Sequence, residues 1–245
     1  MKFYTCRILP LFLAGCTALS PQTPSPAPEN APSQRTSEKP AVREVQLAKP
    51  SGADSRQWLK EAAKCLDAGD EAAALPLLTA YVAAHPDHAT VRAHLAELLA
   101  RLHKPDEAKY QLERYVADAQ ELGEPANQHL VHAETKLVDI AIEQGDVYSQ
   151  RLHRGIGLFM LAERAAKGDD VDDEFVEKTL FLAIAELNEA AKESPDEARP
   201  HWYLFEAWSR LGQRLPADTH LRRARKLSFA GDLTPAEAHA LAQAE

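Results

Sequence analysis

Over residues 55–245 apolar side chains return at intervals of three and four, the spacing that keeps them on one face of an α-helix. The stretch "ALPLLTAYVA" at 74–83 sets out Ala74, Leu78, Tyr81, Val82 and Ala83. "AKYQLERYVA" at 108–117 repeats them as Ala108, Leu112, Tyr115, Val116 and Ala117, each displaced by thirty-four residues. Further on, Ala183, Leu187 and Ala190 return at the same interval as Ala217, Leu221 and Ala224. Small residues at these positions let a neighbouring helix approach, and the larger ones fill the space between. Prolines fall where a unit should stop, at Pro86 and Pro195. Helical hairpins of constant length that bury their faces against one another in series predict a solenoid.

This pattern resembles the tetratricopeptide repeat, a helix-turn-helix unit of thirty-four residues. The resemblance implies an all-α superhelix, a solenoid of helical hairpins, over 55–245. In the family's register the first unit starts at Ser55, with Trp58 and Ala62 in its first helix, Ala74 in its second and Pro86 at its end. The second starts at Ala89 and carries Leu95 and Ala96. A late unit near Ala198 supplies Leu204, Trp208 and Gly212. Tyr81 and Tyr115 stand where alanine is usual, Phe205 replaces a small residue, and Gln120 replaces the terminal proline.

The middle keeps a less regular rhythm. Ala74 and Ala183 are 109 residues apart, three periods plus seven. One helix is predicted within 127–146, ending near Gly145, and a second within 147–168, ending near Gly168, both longer than the family's helices. The helix pairing between 123 and 175 stays open. A final helix opens on Thr234-Pro235, an N-cap and first-turn pair, and is expected to shield the open end of the stack.

The resemblance also implies a concave groove for a protein or peptide segment. Its groove positions fall on Arg56, Leu59 and Asp67 in the first unit and on Glu97 and Arg101 in the second. In the late unit they fall on Arg199, Trp202, Glu206 and Arg210, a mixed-charge set with one exposed tryptophan expected. Chaperone-binding relatives hold a terminal carboxylate with Lys and Asn; Leu59 and Ala63 stand there instead, which disfavours that ligand.

The N-terminus follows another logic. Lys2 and Arg7 precede a short apolar run, Ile8 to Ala14, too short to cross a bilayer of ~30 Å. It closes on Leu13-Ala14-Gly15-Cys16, which resembles the lipobox of bacterial lipoproteins. That resemblance implies cleavage of a signal peptide 1–15 and lipidation of Cys16. With Thr17 rather than aspartate next, it further implies the outer membrane, facing the periplasm. Residues 16–54 are expected to form a disordered tether: 17–54 hold seven of the sixteen prolines and no aromatic residue, too little apolar area to offset chain entropy.

The formal charge is -9, from 37 acidic against 28 basic residues. That balance argues against a nucleic-acid partner and gives no support for a grip on anionic lipid. Of three cysteines only Cys65 lies in the body, at a position suited to a small core residue.

Candidate chemistry is sparse. His129 and His132 stand one turn apart, a spacing that can share a metal, but no third ligand is evident. "GDDVDDE" at 168–174 lacks the glycine and glutamate of a calcium loop and reads as helix caps. Gly155 and Gly157 lie within a helical pattern and read as close-packing sites rather than a dinucleotide fingerprint. With no nucleophile elbow and no paired-carboxylate motif, the chain is expected to be a non-enzymatic, membrane-anchored adaptor without cofactor or metal. The alternatives are a metal-dependent periplasmic hydrolase using His129 and His132, or a component of outer-membrane assembly, pilus or secretion machinery.

Overall fold

A computed structural model of the 245-residue chain describes residues 52–122, 129–168 and 172–244. The signal, Cys16 and most of the tether lie outside the described residues, as do Asp169, Asp170 and Val171 of the acidic stretch. The described body is all-α: α1 (Gly52–Asp67), α2 (Glu71–Ala84), α3 (Ala89–Arg101), α4 (Pro105–Leu122) and α5 (Leu130–Gln144) form its first half. Its second half comprises α6 (Val147–Ala166), α7 (Asp173–Glu193), α8 (Arg199–Arg210), α9 (Arg214–Leu227), a 3₁₀ turn (Ser228–Ala230) and α10 (Pro235–Gln243).

Local signals start and stop these helices. Asp70, Asp146 and Asp172 each accept a hydrogen bond from the backbone N–H three residues on, at 2.9–3.0 Å, satisfying donors the first turn leaves open. Thr234 and Glu237 form a reciprocal capping box at the start of α10. Gly145 ends α5 in the left-handed region at φ 69°, where a side chain would be strained.

The helices pack as hairpins: α1 with α2, α3 with α4, and α8 with α9. The repeated alanines do what the spacing predicts. Ala74, Ala108 and Ala183 are 0% exposed and Ala217 is 3%, so each lies under a neighbouring helix. Buried Arg92 ties the first two hairpins, donating to the Pro86 carbonyl and to Gln111 and lying 3.2 Å from the Asp118 carboxylate.

Strict alternation fails in the middle. α7 carries the alanine pattern of a second helix, yet two helices rather than one separate it from α4. The extra one is α6, which packs extensively against both α5 and α7. Gly155 makes the second contact possible: a Cβ there would lie 2.6 Å from Leu187 Cγ and 3.2 Å from the Leu187 backbone nitrogen. The odd helix breaks the alternation of first and second helices along the stack.

It also divides the core. One apolar cluster runs through α1–α5 and a second through α6–α10, with Met160 touching both. At the junction the fully buried Glu134 carboxylate meets His153 Nδ1 at 2.8 Å, α5 to α6. The last helix does more than shield the end of the stack. α10 packs on α9 and also turns back onto α4, so the body curls until its C-terminus meets its middle.

Candidate protein-binding groove

The curl encloses a groove of about 670 Å³ walled by five helices. Leu130 and Val131 of α5, Phe159 and Met160 of α6 and Ala240 of α10 give it apolar surface. Glu163 and Arg164 near the end of α6, Lys167 just after it and Glu206 of α8 supply charge of both signs. Burial, then the neighbouring Glu163, pushes the Glu206 carboxyl above its ordinary value, against the pull of Arg210. Arg210 in turn holds Glu163 at 2.5 Å, fixing the rim between α6 and α8.

A polar clasp holds the groove's base shut. Arg199 Nη2 lies 3.0 Å from Glu237 Oε1, with side-chain exposures of only 11% and 4%. Tyr203 donates its hydroxyl to the same oxygen at 2.7 Å, and the Gln120 amide reaches both groups from α4. Burial works against Glu237's charge, yet Arg199 foremost, then the Thr234 N–H, hold that carboxyl below its usual value. Burial and the Glu237 charge drive the Tyr203 phenol well above its normal range, so it stays a donor. Such a clasp gives the groove walls one arrangement before any ligand arrives.

A smaller groove of about 210 Å³ lies over α3, α4 and α5, with Glu97, Leu112, Tyr115, His132 and Lys136 among its walls. The Glu97 carboxylate meets His132 Nε2 at 3.1 Å, with His94 Nδ1 3.9 Å away, while His129 is exposed at the start of α5. Among the described residues no three His, Cys, Asp or Glu side chains are grouped to hold a metal ion.

The nine groove residues predicted from sequence are therefore scattered. Glu97 lines the smaller groove and Glu206 the larger one, with Arg210 braced at the latter's rim. Arg56 and Asp67 are exposed and Leu59 half-buried on α1, while Arg101 pairs with Glu71 at 2.6 Å. Two residues are turned inward. Trp202 is only 6% exposed, packed in the second core, and Arg199 is the buried half of the clasp. The tryptophan expected to be exposed is buried, and α8 meets the curl through Arg199 and Tyr203 instead. Phe159, Met160 and Ala240 were missed, since a strict alternation does not bring α6 and α10 to one wall. The single signal was the seven-residue slip.

No curated protein sequence matches the chain. Solved structures with similar helical arrangement include MamA protein, at 14% identity over 73% of this chain and 94% of that one, with a TM-score of 0.39. MamA from Desulfovibrio magneticus RS-1, residues 41 to the end, matches at 14% identity over 75% and 100%, with a TM-score of 0.33. MamA MSR-1 C2 matches at 19% identity over 73% and 98%, with a TM-score of 0.33. Within this chain, the stretch 66–134, from the end of α1 into α5, matches the tetratricopeptide repeat family.

Proposed function

We propose that this protein is a non-catalytic adaptor, tethered to a membrane of the cell envelope through Cys16, that holds a segment of a partner protein in the larger groove. The observation that carries the reading is the groove itself. Apolar walls around Phe159 and Met160, a rim of both charge signs and a volume of about 670 Å³ suit an extended or helical peptide. The tetratricopeptide match over 66–134 supports a protein partner rather than a small molecule. Cys16 and the tether at 17–54 would place the body at the periplasmic face of the outer membrane, with reach on the order of 100 Å when fully drawn out at ~3.1 Å per residue.

A photoreactive amino acid at Met160, in cells producing the full chain, tests the groove. A discrete cross-linked partner that disappears in a Phe159→Ala, Glu206→Lys background is expected. Cross-links equally abundant in that background would sink the assignment. Incorporation of labelled palmitate, abolished by Cys16→Ser, tests the anchor separately.

A further inference from the structure

We infer that the outward face of α9 is a docking surface for an anionic lipid bilayer. The inference depends neither on lipidation of Cys16 nor on a partner in the groove. The whole-chain charge of -9 conceals a local field of the other sign: between Arg214 and Leu227 stand five cations and one carboxylate, a net charge of +4. Elsewhere in the body Arg101, Arg151 and Arg210 meet carboxylates at 2.5–2.7 Å. On α9, among the described residues, no cation has a carboxylate partner. Arg223 and Arg225 donate only to the carbonyls of Pro195 and Ala244, and Arg222 and Lys226 extend into solvent.

The arrangement along the helix is as informative as the charge. Ala217, Leu221 and Ala224 face the core, so Leu215, Thr219, Arg222, Lys226 and the following Phe229 form one stripe on the opposite face. Its two ends are apolar and uncovered: Leu215 is 83% exposed and Phe229 95%. The helix dipole accounts for basic residues in the last turn. It accounts for neither Arg222, a turn earlier, nor an aromatic ring left in water.

A bilayer accounts for all of them. Phe229 and Leu215, ~20 Å apart along the helix, enter the acyl boundary, while guanidinium and ammonium groups between them sit among headgroup phosphates. A nucleic acid offers phosphates but nothing for the two apolar tips. The bilayer explains the two ends of the stripe together with its centre.

The test is sedimentation of the full chain, carrying Cys16→Ser, with vesicles of phosphatidylcholine alone or with about a third phosphatidylglycerol. Lys2 and Arg7 of the leader favour the anionic vesicles in every chain compared, so the α9 face is read from the part of the preference that the charge-reversed chain loses. Binding to the anionic vesicles is expected to be about tenfold stronger, and the preference to vanish at about 0.5 M salt. The double variant Arg222→Glu, Lys226→Glu should lose most of the preference, while Phe229→Ser should weaken anionic binding several-fold and retain the preference. An undiminished preference in the charge-reversed chain overturns the inference. So does tighter binding of the unaltered chain to a DNA duplex or a polyglutamate peptide than to the anionic vesicles. All three side chains are exposed, and Lys226→Gln serves as the milder change if the double variant does not fold.

Discussion

The side-chain amide oxygen of Gln120, near the end of α4, accepts a 2.7 Å hydrogen bond from the hydroxyl of Thr234, 114 residues later at the cap of α10. Its amide nitrogen donates to Tyr203 at 3.1 Å and, more weakly, to Glu237 at 3.4 Å. In the repeat register this is where a proline would close the unit. The glutamine instead lets α4 run on to Leu122 and grip the far end of the chain.

Gln120→Ala should therefore act at a distance. Removing a neutral side chain that serves three buried or half-buried partners is expected to cost about 1–3 kcal/mol of stability. Hydrogen exchange should show the loss concentrated in α10, whose amides would exchange much faster while those of α2 and α3 hardly change. Protection falling evenly through the body would argue that α10 is held by its apolar contacts alone.

The Gly155–Leu187 contact makes a sharper prediction. Gly155→Ala offers helix propensity worth ~1 kcal/mol but places a methyl group 2.6 Å from Leu187 Cγ. Overpacking typically costs 1–3 kcal/mol, so the substitution should destabilise by up to about 2 kcal/mol net. Leu187→Ala alone should cost about 2–5 kcal/mol, because Leu187 is 0% exposed. In the double variant the methyl group occupies part of the vacated space, and the total should fall well short of the sum. Additive losses would mean that the two helices can separate freely at this point.

A pair of histidines sets an acid limit. His201 and His220 stack with their Nδ1 atoms 3.1 Å apart, a hydrogen bond that requires one of them to be an acceptor and hence uncharged. Burial, then the His220 and Arg223 charges, lowers His201 to about 4, and burial lowers His220 too. The unfolded chain takes up these protons near pH 6.5, before the folded chain does. Stability from this pair is therefore present above that pH and lost as pH falls towards 4. The melting temperature should drop between pH 7 and pH 5, and in His201→Gln, His220→Gln that drop should shrink. An identical drop in the double variant would assign it to other groups.

The legibility of this protein in its sequence followed the range of the interactions involved. The caps within 168–174 and at Thr234, the stop at Gly145 and the alanine seams depend on residues within a few positions or one period of each other, and all were legible. Gly155 was legible as a packing site because a helical pattern has few other uses for glycine. The curl was not legible. It rests on Gln120, Tyr203 and Glu237, polar residues that on a single helix look like any solvated face. Trp202 was misjudged too: on α8 it belongs to the second core and not to a groove.

The hairpin connections hold a final, purely local prediction. Gly69 at φ 75° and His103 at φ 55°, thirty-four residues apart, both adopt the left-handed conformation after the first helix of a unit. The surrounding hydrogen bonds match: Gly69 N–H donates to Leu66 O and Asp70 N–H to Cys65 O, and His103 N–H donates to Ala100 O and Lys104 N–H to Leu99 O, all at 2.8–3.1 Å. Gly145 and Gly212 close their helices in the same way, so His103 alone among these four stops bears a side chain in a region that disfavours one. Relief of that strain is partly offset by the greater unfolded-state freedom of glycine, leaving an expected gain of about 0.5–1 kcal/mol for His103→Gly. The reverse change, Gly69→Ala, should lose about 1 kcal/mol although nothing lies within 4 Å of the added methyl group, because the penalty is in the backbone. Urea midpoints moving in opposite directions with unchanged slopes are the expected result. A His103→Gly midpoint at or below that of the unaltered chain would mean the imidazole makes contacts worth more than the strain it bears.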